Sequence, residues 1–162
     1  MDFLWSPWRY RYIANEKRST EECPFCRMPA EERDEENFIL HRGAHTFVVL
    51  NIFPYTSGHM MAVPYRHTAT LSDLSKAESD ELMDLTRRCY EALQREYRPM
   101  GCNIGMNLGQ AAGAGIADHL HMHILPRWFG DVNFVTAIAE TRVVPEDLEA
   151  TYRRLKPHFS TL

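Results

Sequence analysis

The stretch that most constrains this chain is His119-Leu120-His121-Met122-His123-Ile124-Leu125, followed at once by Pro126-Arg127-Trp128. Strict alternation of histidine with an apolar residue is the pattern of a half-buried strand, whose successive side chains point to opposite faces. It predicts Leu120, Met122 and Ile124 against a core, and His119, His121 and His123 together on the other face. At roughly 3.3 Å per residue the outer two stand about 13 Å apart, too far to share one ion whose Zn–N bonds are about 2.0–2.1 Å. The three therefore do not all hold the same metal. Imidazole is a competent nucleophile that changes charge near neutral pH. A central histidine can attack phosphorus while another, as imidazolium, donates a proton to the leaving oxygen. Phosphoryl or nucleotidyl transfer fits this arrangement best.

The rest of the chain reads as an α+β domain built behind that strand. Phe38–His41 and His45–Asn51 look like two strands joined by Arg42-Gly43-Ala44, and His59–Val63 like a third, entered through the turn Pro54–Gly58. Ser75-Lys76-Ala77-Glu78 is a capping box opening a long helix, with Leu82, Leu85, Cys89 and Leu93 on its apolar face and an end near Arg98-Pro99. Cys102, Ile104, Met106 and Leu108 alternate with small polar partners and predict a fourth strand with one buried face. The final amphipathic helix is expected from Pro145 through Leu148, Tyr152 and Leu155 to near Lys156-Pro157. The loop Gln110–Asp118 is rich in glycine and alanine. Its backbone N–H groups can approach an anion closely, as phosphate-binding nests do. Arg127, directly after the triad strand, reads equally as a phosphate contact or a structural charge.

Two further stretches are less committed. Trp5, Trp8, Tyr10 and Tyr12 with Arg9 and Arg11 make residues 1–22 an aromatic arm expected to pack on the domain or on a partner subunit. Cys23-Pro24-Phe25-Cys26 reads three ways: a redox pair, half of a zinc site, or coincidence. The acidic Glu21-Glu22 beside it disfavours a reactive thiolate, and zinc would need two more ligands from elsewhere.

His-apolar-His-apolar-His-apolar-apolar running into Pro-Arg resembles the signature of the histidine-triad (HIT) superfamily of nucleotide hydrolases and transferases. The resemblance implies one antiparallel sheet of about five strands with one long and one C-terminal helix, residues 23–162 forming a single HIT domain, usually in a homodimer or higher homo-oligomer. It implies that His121 is the nucleophile of a covalent nucleotidyl-histidine intermediate and that His123 helps bind or protonate at the phosphate. By the same resemblance Asn51 contacts the ribose, His59 neighbours the active site, Asn107 contacts phosphate, and Ala112, Gly113, Ala114 and Gly115 cradle the phosphate chain. In zinc-bearing members the ligands correspond to Cys23, Cys26, His67 and His119, which implies structural zinc and leaves His121 and His123 for catalysis.

One departure matters. Branches that hydrolyse phosphoramidates or dinucleoside triphosphates carry a glutamine four residues before the first triad histidine, where this chain has Gly115. Its Ala-Gly-x-Gly loop, Trp5–Arg9 and Pro126–Phe134 look more like the bacterial branch that phosphorolyses diadenosine tetraphosphate. The expected substrate is a diadenosine polyphosphate, with water or orthophosphate as acceptor and a divalent cation able to ride on its phosphates. A nucleoside phosphoramidase and a non-catalytic nucleotide-binding module are the rival readings.

Composition narrows the partners. A net charge of −4 gives no global attraction to nucleic acid, so a small nucleotide must be captured by local positive charge. No apolar run approaches a membrane span, and the first residues lack a signal-peptide pattern. The four cysteines, at unrelated spacings, do not form a disulfide framework. A cytoplasmic protein is expected.

Overall fold

The computed structural model describes residues 23–132 and 146–160; the aromatic arm at 1–22 lies outside them. The chain runs α1 (Pro24–Ala30), β1 (Ile39–Arg42), β2 (Thr46–Leu50), β3 (Met60–Pro64), α2 (Lys76–Glu96), β4 (Gly101–Gly105), β5 (Met122–Arg127) and α3 (Leu148–Leu155), with short 3-10 turns between. The strands form one sheet in the order β1-β2-β3-β5-β4, every neighbouring pair antiparallel. The fold is α+β.

Both faces of the central strands are buried, and the period of two sorts their side chains into two cores. Val48, Leu50, Met60 and Ala62 face α2, where they meet Leu82, Leu85, Cys89 and Leu93, with Leu120, Met122 and Ile124 completing the layer. Phe47, Val49, Met61 and Val63 face the other way and bury Phe25 of α1 and Cys23, the residue before it. Helix α2 starts where the sequence places it. Ser75 accepts from the Glu78 N–H, and the Glu78 carboxylate accepts from the Ser75 N–H.

The differences from expectation lie at the edges. β4 stops at Gly105, and Ile104 and Leu108 are each 47% exposed. Alternation along Cys102–Leu108 promised a buried face, but an edge strand has one neighbour, and only Cys102 and Met106 reach the α2 core. Strand β5 begins at Met122, so His119 and His121 precede the paired segment. Helix α3 begins at Leu148 with Asp147 as its cap, accepting from the Ala150 N–H; Pro145 lies outside the described residues.

The β1–β2 hairpin is tied to α2 by Glu81, whose carboxylate accepts from the N–H groups of Ala44 and His45. A Cβ on Gly43 would stand 2.7 Å from both Glu81 Oε1 and the Thr46 carbonyl oxygen. The carboxylate can swing away only by releasing the hairpin, and the backbone carbonyl cannot yield. Gly43→Ala should therefore cost about 1–3 kcal/mol, seen as a lower urea midpoint with an unchanged slope.

Candidate active site

The register of the sheet assembles the site. On β5, His123 lies opposite Met61 of β3 on one side and Gly105 of β4 on the other. A Cβ at Gly105 would meet nothing within 4 Å, so the β4 flank of His123 is open space. The histidines lie on the α1 face of the sheet, with α2 on the opposite face, as the alternation predicts.

His121 is oriented by its own backbone. Its Nδ1 stands 2.7 Å from the His119 carbonyl oxygen, which can only accept, so Nδ1 carries the proton and Nε2 the lone pair. Burial lowers its pKa from the ordinary histidine value, which keeps that lone pair available. The Phe25 ring packs 5.0 Å from the His121 ring, and the His123 ring lies 4.8 Å from it. Tautomer, charge and position suit a nucleophile.

His123 is held by a second set of contacts. His59 is 1% exposed, and its Nε2 lies 2.9 Å from His123 Nδ1. The Tyr55 N–H donates to His59 Nδ1 at 3.2 Å, and the Tyr55 ring lies 4.8 Å from that of His59 and 6.1 Å from that of His123. Asn51 belongs to the same group, its Nδ2 3.3 Å from His59 Nδ1 and its Oδ1 accepting from the Phe53 N–H at 2.9 Å.

His119 faces a separate cluster. Its Nδ1 is 3.4 Å from Cys23 Sγ and 3.6 Å from Cys26 Sγ, and Cys26 Sγ is 3.3 Å from His67 Nδ1. Ligand atoms of Cys23, Cys26, His67 and His119 all lie within 4.8 Å of one another. Tetrahedral zinc with Zn–S near 2.3 Å and Zn–N near 2.05 Å separates sulfur from nitrogen by about 3.6 Å, so the donor set fits. The other ring nitrogen, His119 Nε2, donates to the Pro64 carbonyl at 2.8 Å, which aims Nδ1 at the cluster as an outer hydrogen bond does for a metal ligand. Burial holds His119 down at about 4, so its Nδ1 is unprotonated at neutral pH. Burial and the adjacent Cys23 push the Cys26 thiol up to about 11, the opposite of a reactive redox thiolate. These four residues can bind a metal.

The remaining predicted residues lie on the path from β4 to the triad and in the turn after β5. The chain leaves β4 at Gly105 beside His123 and passes Asn107 before a 3-10 turn at Gln110–Ala112 and left-handed Gly113; Ala114 is buried, Gly115 exposed. Ile116 then packs against the Phe25 core and returns the chain to His119. The Arg127 guanidinium donates to the Asp131 carboxylate and to Asn103 Oδ1, bracing the turn after β5. A surface cleft lined by Asp84, Arg87, Arg88, Glu91, Arg95 and His158 lies along α2, across the sheet from the triad histidines. Sequence reasoning missed Phe25 and Tyr55. The first was hidden inside C-x-x-C and the second inside a turn, where neither shows a periodic signal.

Comparison with known proteins agrees with this geometry. The HIT domain model matches residues 32–130. This chain belongs to the HIT domain family. It is 42% identical to an AP-4-A phosphorylase of Mycobacterium tuberculosis over 165 residues, covering 97% of this chain and 84% of that protein. A bis(5′-adenosyl)-triphosphatase of Saccharomyces cerevisiae is 30% identical over 91 residues, 56% of this chain and 44% of the relative. Among solved structures, a zinc-bound histidine triad family protein from Mycobacterium smegmatis superposes with a TM-score of 0.70 at 26% identity, over 86% of this chain and 94% of that one.

Proposed function

We propose that this HIT protein is a nucleotidyl transferase that cleaves diadenosine polyphosphates, diadenosine tetraphosphate first among them, by way of a covalent nucleotidyl group on His121. The observation that carries the reading is the hydrogen bond from His121 Nδ1 to the His119 carbonyl, which leaves Nε2 unprotonated and turned away from its own backbone. A nitrogen lone pair held in this way attacks the α-phosphorus, and His123 donates a hydrogen bond to a phosphoryl oxygen as charge builds there. Asn51 Oδ1 keeps a second lone pair for a ribose hydroxyl, and Asn107 with Ala112–Gly115 borders the phosphate chain. Arg127 is better placed to brace the 127–131 turn than to grip phosphate. Likeness to the AP-4-A phosphorylase along nearly the whole chain supports the substrate and orthophosphate as acceptor.

Zinc on Cys23, Cys26, His67 and His119 supplies structure rather than chemistry. The set of two thiols and two imidazoles is closed to substrate, and it pins α1 to the approach to β5. The outer edge of β4, unpaired among the described residues and with Ile104 and Leu108 half-exposed, supports a homodimer. None of the four cysteines is in a disulfide, which fits a cytoplasmic setting, and no helix among the described residues is long and apolar enough to cross a membrane.

The test is direct. The purified protein is incubated with diadenosine tetraphosphate, with and without orthophosphate, and the nucleotides are separated by chromatography. ATP and ADP formed only with phosphate are expected. ATP and AMP, or two ADP, without phosphate would make it a hydrolase, and no product in either condition would refute the reading.

A further inference from the structure

We propose, resting on the reading of His121 as nucleophile, that the face of β4 beside His123 receives the leaving half of the substrate, a nucleoside polyphosphate. Gly105 is the bare floor of this subsite, and Asn103 is the donor that holds the departing phosphates. The site then selects its leaving group by reach along β4 rather than by charge alone.

Strand order and register give the direction. β5 runs between β3 and β4. Asn51 and His59 lie between the end of β2 and the start of β3, so the ribose side of the site is across β5 from β4. In an in-line displacement the leaving oxygen stands on the side of phosphorus away from the attacking atom. Away from His121 along β5 come His123 and then Leu125, and their partners on β4 are Gly105 and then Asn103. Register partners share a face, so Gly105 and Asn103 border the triad side of the sheet, while Cys102 reaches the α2 core on the other side. The part of a dinucleotide beyond the scissile bond therefore has β4 to run along.

The residues there suit that use. Glycine weakens a strand, and inside one it marks a bulge, a tight bend or the close approach of a ligand or another backbone. The β4–β5 ladder is regular through Gly105, whose φ is not in the left-handed region, and a Cβ on it would meet nothing within 4 Å among the described residues. Neither backbone nor packing asks for a glycine, and what a side chain would fill is the space over the strand beside His123. Asn103 is exposed, and its amide is oriented. Its Oδ1 accepts from Arg127 Nη1 at 2.6 Å, and Arg127 is itself held by the Asp131 carboxylate through Nε and Nη2. With the oxygen end fixed, Nδ2 is the end left to donate outward. The charge of Arg127 is met by Asp131, so what the shelf presents is a placed neutral N–H rather than an open cation. Asn103 stands about 7 Å along the strand from Gly105. A leaving group of one atom does not reach it, and a chain of phosphates does.

The experiment compares two donors of the same adenylyl group, diadenosine tetraphosphate and adenosine 5′-fluorophosphate, whose leaving group is fluoride, each with orthophosphate as acceptor. Gly105→Val places a branched side chain on the floor. Asn103→Asp keeps an acceptor for Arg127 and turns the outward donor into a charge that repels phosphate. Each variant is expected to lower kcat/KM for the dinucleotide about tenfold more than for the fluoride, roughly what one hydrogen bond to a charged group is worth. Equal losses on both substrates, or no loss on either, would overturn the proposal. A change of oligomeric state in Gly105→Val, seen by size-exclusion chromatography, would overturn the role of that glycine, which would then serve the approach of another chain. A binding arm does not depend on turnover. By titration calorimetry a bridging-methylene analogue of diadenosine tetraphosphate should bind wild type at least about tenfold tighter than AMP, and both variants should erase most of that gain. No gain in wild type would overturn the subsite, whereas a gain without turnover of either substrate would refute only the nucleotidyl-transfer reading. Should Gly105→Val fail to fold, the exposed Asn103→Asp change decides.

Discussion

His121→Ala is expected to lower kcat by about four orders of magnitude or more while the domain stays folded. A nucleophile that forms the covalent intermediate has no substitute in the site, and removing one from comparable enzymes costs rates of that order. The ring of His123 is 4.8 Å away, and its Nδ1 is committed to His59, so it is not oriented as the His121 ring is. The fold should survive because the lost contacts are few. His121 gives up one hydrogen bond to the His119 carbonyl and a flank of the Phe25 ring, worth about 1–3 kcal/mol together. His123→Ala makes the useful contrast. Losing one donor to the developing oxyanion should cost about 10²–10³, with the covalent adduct on His121 still formed. Mass spectrometry of the quenched reaction should find the nucleotidyl group on His121 in wild type and in His123→Ala, and nowhere in His121→Ala. An undiminished rate in His121→Ala, or an adduct on another residue, would end the proposed mechanism.

The period of the triad was enough to place its two faces, because alternation against an apolar back has one solution once a helix with Leu82, Leu85 and Leu93 needs a partner. The capping box fixed the start of α2 for a local reason, since Ser75 and Glu78 satisfy each other's backbone. Where the sequence misled, a non-local fact decided. Ile104 and Leu108 alternate like core residues, yet the strand order puts β4 at the edge, and strand order is not written in any window of eight residues. The four cysteine and histidine ligands came from resemblance, because His67 and His119 lie 41 and 93 residues from Cys26 and only the fold brings them together. The His59–His123 hydrogen bond was out of reach for a related reason. Resemblance places His59 beside the active site, but the residues alone leave it an ordinary strand histidine, and the β3–β5 register that sets Met60 against Ile124 is what brings the two rings together.

The second large effect concerns the metal cluster. Helix α1 is a seven-residue helix with Pro29 inside it, too short to persist alone, and what it buries is mainly Phe25 and Cys23. A metal on Cys23 and Cys26 ties that helix to His67 beyond β3 and to His119 before β5, so its binding energy adds to folding energy. Cys23→Ser should therefore cut bound zinc from one per chain to less than about a tenth. It should lower Tm by about 10 °C, as a loss of about 3–5 kcal/mol does in a domain of this size. Apparent zinc affinity should also rise with pH. The Cys26 thiol, pushed up to about 11, must give up its proton to bind, which contributes about tenfold per pH unit below that value, whereas His119 at about 4 has none to lose at neutral pH. Activity should fall in Cys23→Ser by much less than in His121→Ala, because the Phe25 ring loses its anchor against His121 while the nucleophile remains. Equilibrium dialysis against zinc, thermal unfolding and kcat, measured on the same preparations, separate these effects. A purified wild-type protein that holds no metal and melts at the same temperature with and without added zinc would show that the cluster is only a packed set of side chains.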